Sequence, residues 1–326
     1  MSADTMGRTG TGSGARVHGR HGRMGPVLAG VGALLFVVGA LVHFYAVPKL
    51  AVAPVDLDSV THLSAADATI FDTGTLKPLT TDLAITNRTV GNVQAAKKAP
   101  AHTVVWASMT TIRSVPDNVI RSQSTSSTAV DDNTSMAVDC CDNFTEDAAG
   151  ARTPTKPAGL VYKFPFDTQK KTYQVWDSTL GRAMPARYTG TTSIKGMKVY
   201  AFTYEVPASK VGTESLPRSV FGLKGDGNVT ADNMYQTTVT QWIEPTTGAV
   251  VNNVQDLKTW FSADGSDLVT TAAKIHYTDA QVSKMVHDYK GQAAMLRLAS
   301  GVVPWLVMLV GLVMVGFGVV AGRRRA

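Results

Sequence analysis

Two long apolar stretches, Pro26–Val47 and Val302–Ala321, lie near the two ends of the chain and enclose a mostly polar, threonine-rich sequence. A helix needs roughly 20 residues to cross about 30 Å of hydrocarbon, and it satisfies its own backbone hydrogen bonds where no water is present. The pattern therefore predicts two transmembrane helices, at residues 26–47 and 298–322, with one large domain between them.

Between the two stretches, apolar and polar residues alternate with a period of two, and β-branched and aromatic residues are frequent. The predicted strands are His102–Ile112, Thr172–Trp176, Lys198–Val206, Tyr235–Ile243, Ala249–Trp260 and Leu268–Tyr277. Short turn sequences such as Lys195–Gly196 and Asp264–Gly265 favour antiparallel hairpins. The predicted fold class is mainly β (α+β), with a large antiparallel sheet that forms a sandwich or an open barrel over residues 48–277.

Two segments depart from this alternation. Residues 114–157 are rich in Ser, Thr, Asp and Asn and contain few large apolar side chains, which predicts an irregular loop across the surface. Residues 278–297 repeat apolar side chains at helical spacing, with Thr278 as the expected N-cap. This pattern predicts an amphipathic helix that packs under the sheet or lies on the membrane surface.

The formal net charge of +6 is concentrated beside the two apolar stretches. Residues 1–25 are rich in glycine and arginine and are expected to form a disordered tail. The final segment, 323–326, is basic, whereas the sequence between the stretches is neutral. Because Lys and Arg beside a span favour the cytoplasmic side, we predict a two-pass protein of the cell membrane with both termini cytoplasmic and the central domain extracytoplasmic. The excess charge therefore does not indicate a nucleic-acid partner.

A cleaved signal peptide is the alternative interpretation of the first stretch, because it also begins with basic residues followed by an apolar segment. The apolar segment here is longer than the roughly 7–15 residues typical of a signal peptide. The small residues Ala51 and Ala53 are followed by Pro54, which is unfavourable directly after a cleavage site. We therefore predict that the first helix is retained. Small residues four apart, Ala29 with Ala33 and Gly318 with Gly322, are expected where the two helices pack.

Motifs that indicate catalysis are absent from the sequence. It has no HExxH zinc motif, no GxSxG nucleophile elbow and no phosphate-binding Walker loop. We therefore expect no enzyme activity, no catalytic residue, no cofactor and no metal ion. The adjacent Cys140 and Cys141 allow a vicinal disulfide, a bond to another chain, or two thiols. A structural role is expected, since the acidic neighbours Asp139 and Asp142 disfavour a reactive thiolate.

Three short tracts carry most of the remaining information. They are Tyr45 and Pro48 at the exit from the first span; Lys163, Phe164, Pro165, Phe166 and Asp167, followed by Tyr173, Trp176 and Asp177; and a turn with Trp242, Glu244, Pro245 and Gly248. From the residues alone, the aromatic tract indicates core packing. The Pro and Gly of the turn indicate a tight hairpin, and its glutamate is expected to pair with a nearby cation.

These tracts resemble those of the actinobacterial porin PorA family, formerly a domain-of-unknown-function family. The resemblance covers nearly the whole chain from the first span to the second, and the tryptophan-containing turn is its most specific part. It implies a cell-envelope membrane protein, and the family name implies a porin. Strands such as the one that includes Lys198 and Glu205 nevertheless carry charged residues on both faces, unlike the lipid-facing alternation of an outer-membrane barrel.

A β domain between two membrane helices is also similar in architecture to CD36-type scavenger receptors, in which such a domain encloses a hydrophobic tunnel. This similarity implies a non-enzymatic protein whose extracytoplasmic domain binds or passes a lipid or another apolar ligand. One alternative is a channel or porin formed by oligomerisation, although neither span has a polar stripe to line a pore. The other is a scaffold that binds an envelope protein through residues 114–157. The expected partners are thus membrane lipids, an apolar ligand, and an envelope protein or a second copy of the chain.

Overall fold

The computed structural model describes residues 24–72 and 74–323. The predicted tails are residues 1–25 and 323–326, of which residues 1–23 and 324–326 lie outside this described part. The chain divides into two compact units. A helical unit comprises the described residues up to Ala46 and from Ala299 onward, and a mainly β unit comprises Val47–Leu298.

The helical unit contains helix α1, Met24–Leu41, followed by a single π-helical turn, Val42–Ala46, and helix α5, Val302–Arg323. Both helices are long and apolar enough to cross a membrane. They pack against each other. This contact leaves most of their large apolar side chains on the outside, where Leu34, Leu309 and Phe317 are exposed.

Glycine residues form the contact between the two helices. Gly32 and Gly39 of α1 and Gly311 and Gly318 of α5 are all buried, and each pair is spaced by seven residues. A Cβ atom placed on Gly32 would lie 2.5 Å from the carbonyl oxygen of Gly311, so only glycine allows this approach. The expected small-residue contact is therefore present at Gly318, which touches Ala29. Gly322 also lies at the contact, since a Cβ atom on Gly25 would be 3.2 Å from its backbone nitrogen, whereas Ala33 is exposed.

The described part of the β unit consists of twelve strands with four short or peripheral helical segments. The strands are β1 Asp58–Asp72, β2 Lys77–Gly91, β3 Thr103–Ser114, β4 Ile120–Asp131, β5 Phe144–Glu146, β6 Arg152–Pro154, β7 Tyr173–Asp177, β8 Arg182–Ile194, β9 Met197–Pro217, β10 Asn228–Ile243, β11 Val250–Ala263 and β12 Ser266–Tyr277. The helical segments are α2 Val47–Leu50, α3 Val93–Ala96, a 3₁₀ turn Arg218–Phe221, and α4 Asp279–Ser300.

The strands form one antiparallel sheet in the order β6-β5-β4-β3-β2-β1-β12-β11-β10-β9-β8-β7. Single bridges then connect β4 with the last strand of the order, β7: Val130 of β4 pairs with Ala137, Met136 with Leu160, and Leu160 with Val175 of β7. The sheet therefore curls until β4 and β7 are joined through the segment around Leu160, while the short strands β5 and β6 lie outside this connection. The mainly β prediction is confirmed, and of the two predicted arrangements the structure shows the open barrel and not the sandwich.

Each of the six predicted strands corresponds to an observed one, and several are longer than expected; β9, for example, continues to Pro217. The prediction of an irregular loop for residues 114–157 was wrong. This segment contains β4, β5 and β6, and β4 pairs with β3 over almost its whole length. Strands β1, β2 and β8 were also not predicted. Their apolar residues, such as Ile70, Leu83 and Ile85, are interrupted by Ser, Thr and charged residues, so the alternation covers only part of each strand.

Tight turns and one helix complete the unit. The turns Lys195–Gly196 and Asp264–Gly265 have positive φ at both residues, as a two-residue type I′ hairpin requires. Helix α4 begins with Thr278, whose Oγ1 accepts a hydrogen bond from the backbone N–H of Gln281 at 3.2 Å, so the predicted N-cap is confirmed. Val286 of this helix packs against Val199 and Val251 of the sheet.

Candidate functional site: a cavity inside the curled sheet

The β unit encloses a cavity of about 690 Å³. Its walls come from inward-facing residues of β1–β4, β10 and β11, from the segment between β6 and β7, from helix α4, and from residues 50–57. Sheets that curl this strongly leave space inside unless large side chains fill it. The volume therefore depends on which side chains face inward on each strand.

Small polar side chains form the wall on β2, β3 and β4, and we call this set the hydroxyl wall. It consists of Asn87, Thr89, Ser108, Thr110, Ser126 and Thr128. The strand register places Thr89 opposite Ser108 and Ser108 opposite Ser126, so these residues share one face. Ser108 Oγ donates to Asn87 Oδ1 at 2.9 Å, and Asn87 Nδ2 donates to Thr110 Oγ1 at 2.8 Å. Hydrogen bonds thus connect the β2 and β3 residues of the wall, and Ser126 and Thr128 of β4 extend the same polar face.

Apolar side chains form another part of the cavity. They come from residues 50–57 and from α4, and include Leu50, Val52, Leu57, Met285 and Leu296. Leu57 and Ala53 also pack on Trp106, whose indole N–H donates to the carbonyl oxygen of Pro54 at 3.0 Å. The cavity therefore combines hydrogen-bonding groups with apolar surface, as small-molecule sites do.

Tyr162 lies at the junction of these two surfaces. Its hydroxyl donates to the carbonyl oxygen of Trp106 at 2.7 Å, and the two ring centroids are 5.3 Å apart. Burial raises the pKa of Tyr162 to about 12. The phenol therefore stays neutral at physiological pH and acts as a hydrogen-bonding group.

Lys163, which follows in sequence, also lines the cavity. Its Nζ is shielded from solvent, has no hydrogen-bond partner, and lies 3.8 Å from the centroid of the Phe166 ring. Burial lowers the pKa of Lys163 to about 7. Of the cavity-lining residues in the described part of the chain, it is the one Lys, Arg, Asp or Glu.

The opposite half of the sheet is filled by a set that we call the aromatic cluster. It consists of Phe164, Tyr173, Tyr188 and Phe202. The Phe164 and Phe202 ring centroids are 4.7 Å apart, and Tyr173 packs edge-on to both. Phe164 and Phe202 are each only 1 % exposed. The predicted role of the aromatic tract in core packing thus holds for Phe164 and Tyr173.

The turn at the end of β10 holds this aromatic tract in place. The backbone N–H of Phe164 donates to the carbonyl oxygen of Gly248 at 2.9 Å. Gly248 has a φ of +72°, and a Cβ atom on it would overlap the backbone of Phe164. The two most distinctive sequence tracts therefore meet at a contact that requires glycine.

Glu244 has a different role from the one predicted. Its Oε2 accepts hydrogen bonds from the backbone N–H and the hydroxyl of Thr247, both at 2.8 Å. No cation pairs with it among the ion pairs of residues 24–72 and 74–323. The expectation of a cation partner was wrong, because the carboxylate is used inside its own turn. Pro245 contributes its carbonyl oxygen, which accepts from the backbone N–H of Thr168 at 2.7 Å.

The remaining residues of the aromatic tract have separate positions. Trp176 lines the cavity. Asp177 is buried and accepts from the hydroxyl of Tyr235 at 2.8 Å. Burial, together with the nearby Asp177 charge, raises the pKa of Tyr235 well above its usual value. Asp167 is exposed, with a φ of +54°. The Pro165 carbonyl accepts from the hydroxyl of Thr168 at 2.7 Å.

Three residues of the sequence tracts, and the cysteine pair, lie away from the cavity wall. Trp242 packs with the residues of α4 and β9. Tyr45 and Pro48 are exposed, in the π-helical turn and in α2. Cys140 and Cys141 form a vicinal disulfide between β4 and β5, which is one of the three alternatives left open by the sequence.

Sequence reasoning did not find the hydroxyl wall. Asn87 and Thr89 lie in a strand that was not predicted, and Ser126 and Thr128 lie in the segment predicted as a loop. Residues 124–128 of β4 all carry hydroxyl groups, so the sequence has no alternation there that marks one face. No local signal therefore distinguished the residues that face the cavity.

Two helices long and apolar enough to span a membrane, together with a β unit that contains a partly open cavity, support a membrane protein with a candidate binding domain. Comparison with known families agrees with this class. The family described as Porin PorA matches residues 24–320, and the chain belongs to the porin PorA family.

Two curated relatives carry the same description. The chain is 24 % identical to Porin PorA of Corynebacterium amycolatum over 379 aligned positions, which cover 90 % of this chain and 97 % of that protein. It is 23 % identical to Porin PorA of Corynebacterium resistens over 239 positions, which cover 53 % of this chain and 58 % of that protein. The family resemblance noted in the sequence is therefore confirmed.

Proposed function

We propose that this membrane protein acts without catalysis and that its β unit binds a lipid or another amphiphilic molecule inside the curled sheet. The observation that carries the proposal is the cavity of about 690 Å³. Ligand cavities are typically about 300–1,000 Å³. The combination of apolar surface near Leu57 and Met285 with hydrogen-bonding groups on the hydroxyl wall suits a molecule that has both an apolar chain and a polar head.

We also propose that the β unit lies on the extracytoplasmic side, in the cell envelope, with both termini in the cytoplasm. The basic residues beside the two spans support this orientation. Protease treatment of intact protoplasts tests it, since the β unit is expected to be cleaved while the arginine-rich tails are protected. If the tails are cleaved and the β unit stays intact, the β unit lies on the cytoplasmic side and the proposed topology is wrong.

Lipid extraction from the purified full chain tests the binding function. The protein is purified in a nonionic detergent, extracted with organic solvent, and analysed by mass spectrometry for lipid in stoichiometric amount. The discriminating variant is Ser126→Trp, because Ser126 faces the cavity and a tryptophan there occupies part of its volume. We expect this variant to retain much less lipid than the wild type.

The matched control is Thr125→Trp, on the same strand and one residue earlier. Thr125 is half-buried like Ser126 but faces the other side of the sheet. We expect Thr125→Trp to retain as much lipid as the wild type. Equal loss in both variants, or no lipid in the wild type, contradicts the proposal.

A channel is the second candidate function, and the specific observation in its favour is the name Porin PorA of both relatives. A conducting path in the helical unit would require several copies of the chain, because α1 and α5 pack through glycines with apolar residues outside. Ion conductance of the purified full chain in a planar bilayer tests this candidate. Unitary conductance steps would support a channel, and a flat trace at high protein content would exclude it.

A further inference from the structure

Lys163 carries a positive charge that the surrounding protein does not compensate. Its Nζ has no hydrogen-bond partner, and the ion pairs of the described chain do not include it. An ammonium group has three N–H donors, and a buried charge is normally paired. The buried carboxylate of Glu244 accepts its hydrogen bonds from Thr247 in its own turn. The protonated form of Lys163 therefore lacks a counter-charge in the described part of the chain, and an anionic ligand would supply one.

The Phe166 ring is the group that lies against this ammonium. The ring centroid is 3.8 Å from Nζ, within range of a cation–π contact. A carboxylate or phosphate oxygen is a stronger partner, since it accepts a charge-assisted hydrogen bond. Both Lys163 and Phe166 line the cavity. Rotation about the side-chain bonds of the lysine is thus sufficient to move Nζ from the ring toward a ligand.

The other walls indicate what kind of anion fits. The hydroxyl wall supplies neutral donors and acceptors, such as Thr128 and Ser126, for the polar part of a ligand. Leu50, Val52 and Leu296 supply apolar surface for a hydrocarbon part. A small free anion would leave this apolar surface in contact with water, which is unfavourable.

We propose that the cavity selects amphiphiles with an anionic head group, a carboxylate or a phosphate, and that Lys163 Nζ is the group that binds the anion. This inference rests on the proposed binding function, because it assigns a ligand class to the same cavity. It adds a charge preference, which a cavity that binds by apolar contact alone would not have.

The protonation of Lys163 makes the preference dependent on pH. Burial lowers the pKa of Lys163 to about 7, so Nζ of the free protein loses its proton as the pH rises above that value. The other titratable groups that line the cavity are Tyr162, Tyr277 and Tyr289, and burial raises the pKa of each. They remain neutral between about pH 6 and 9. Affinity for an anion is therefore expected to fall across this range.

Competition binding on the full chain in nonionic detergent tests the inference. Tritiated oleate is the bound probe, and unlabelled oleate, oleyl alcohol and acetate are the competitors, so that chain and charge are varied separately. We expect the wild type to prefer oleate to oleyl alcohol by about 10- to 100-fold at pH 6, the range expected from one hydrogen bond to a charged group. Acetate is expected not to compete at the same concentrations.

Three variants complete the test. Lys163→Met is expected to bind oleate and oleyl alcohol equally. Lys163→Arg is expected to keep the preference for oleate and to make it independent of pH between 6 and 9, since arginine stays charged. Lys171→Met is the control, because Lys171 is exposed, lies in the same tract and does not line the cavity. It is expected to behave as the wild type, with a preference that falls as the pH rises.

The outcomes separate this inference from the proposed function. A preference for oleate that survives in Lys163→Met, or that remains pH-dependent in Lys163→Arg, overturns the role of Lys163 while the binding function stands. If acetate competes as strongly as oleate, the ligand does not need an apolar chain. That result contradicts the amphiphile assignment and indicates a site for a free anion. Absence of any oleate or oleyl alcohol binding in the wild type removes the proposed function itself.

Discussion

Strands β2–β4 and strands β8–β10 belong to the same curled sheet, yet their inward faces carry side chains of very different size. Where β2–β4 line the cavity, the inward residues are mostly small and polar, as at Thr89 and Ser126, although Leu83 and Ile85 farther along β2 pack in an apolar cluster. On β8–β10 they are large, as at Tyr188, Phe202 and Ile243. Both halves have the alternation of a strand with one inward face. The size of the inward side chain, and not the strand pattern, decides whether the interior is filled or left open.

The two halves of the sheet are expected to contribute differently to the stability of the β unit. The aromatic half buries large apolar surface and is expected to contribute most of the stability of the β unit. The hydroxyl half contributes less, because its hydrogen bonds replace similar bonds to water. A protein that keeps an open interior therefore needs a well-packed region elsewhere in the same sheet.

The largest effect is expected at the contact that anchors the aromatic half. Gly248→Ala should destabilise the β unit by about 5 kcal/mol, because the new Cβ overlaps the backbone of Phe164 and the residue must keep a positive φ. Guanidinium unfolding of the full chain in detergent, followed by tryptophan fluorescence, measures it.

Gly196→Ala is the control for this prediction. Gly196 has a similar φ of +77°, but nothing lies within 4 Å of an added Cβ. Its expected cost is about 1 kcal/mol, from the backbone conformation alone. Similar values for the two variants would show that the contact between Gly248 and Phe164 is not important for stability.

The next largest effect distinguishes the two halves directly. Phe164→Ala should cost about 3–5 kcal/mol, because it removes a ring that is almost completely buried among other aromatic rings. Ser126→Ala, on the hydroxyl wall, should change the free energy of unfolding by less than about 1 kcal/mol. The same unfolding experiment measures both. A larger loss for Ser126→Ala than for Phe164→Ala would reverse the proposed division between the halves.

A further effect is expected from the pH dependence of stability at Lys163. The pKa of this residue is about 7 in the folded protein and 10.5 as its ordinary value. Between these values the unfolded chain binds the proton and the folded chain does not, so stability should rise with pH in this window and level off above it. The slope is expected to be at most about 1.4 kcal/mol per pH unit.

The measurement is the difference in unfolding free energy between the wild type and Lys163→Met at pH 6, 8 and 10. The wild type should gain stability relative to the variant as the pH rises. A difference that is constant with pH would show that Nζ is not held in a buried environment.

The smallest effect concerns the hydrogen bonds of the hydroxyl wall. Asn87→Ala removes the side chain that links Thr110 and Ser108, and should cost about 1–2 kcal/mol. Thr86→Ala, one residue earlier and facing the other side of β2, should cost less. Equal unfolding free energies for the two variants would show that the network adds nothing to the stability of the open half.

Much of the fold could be predicted from the sequence. Apolar length identified the helices, and alternation identified strands such as β10 and β11, where Val239 and Ile243 face inward among polar residues. Strand β4 escaped prediction because its cavity-facing residues, such as Ser126 and Thr128, are polar. Strands β1 and β2 escaped prediction although Ile70, Leu83 and Ile85 pack in an apolar cluster. In β4, the property that hides the strand from the usual pattern is the one that makes it part of the candidate site.

The individual roles of the residues in the three sequence tracts were predicted less well. Phe164 and Tyr173 pack in the core as expected, whereas Glu244 caps its own turn. Lys163 stood out in the sequence only as a member of an aromatic tract. Its isolation from any carboxylate depends on residues that are distant in sequence, so no local pattern reveals it.

By itself, the sequence determined the two apolar helices, the antiparallel β character of the domain between them, and the tight turns, since each depends on neighbouring residues and on local backbone geometry. Only the tertiary structure decided that the sheet curls until β4 and β7 are joined through Leu160, and that small hydroxyl groups and one lysine face the space inside. Curvature and cavity arise from contacts between residues far apart in the chain. Packing in three dimensions determines those contacts.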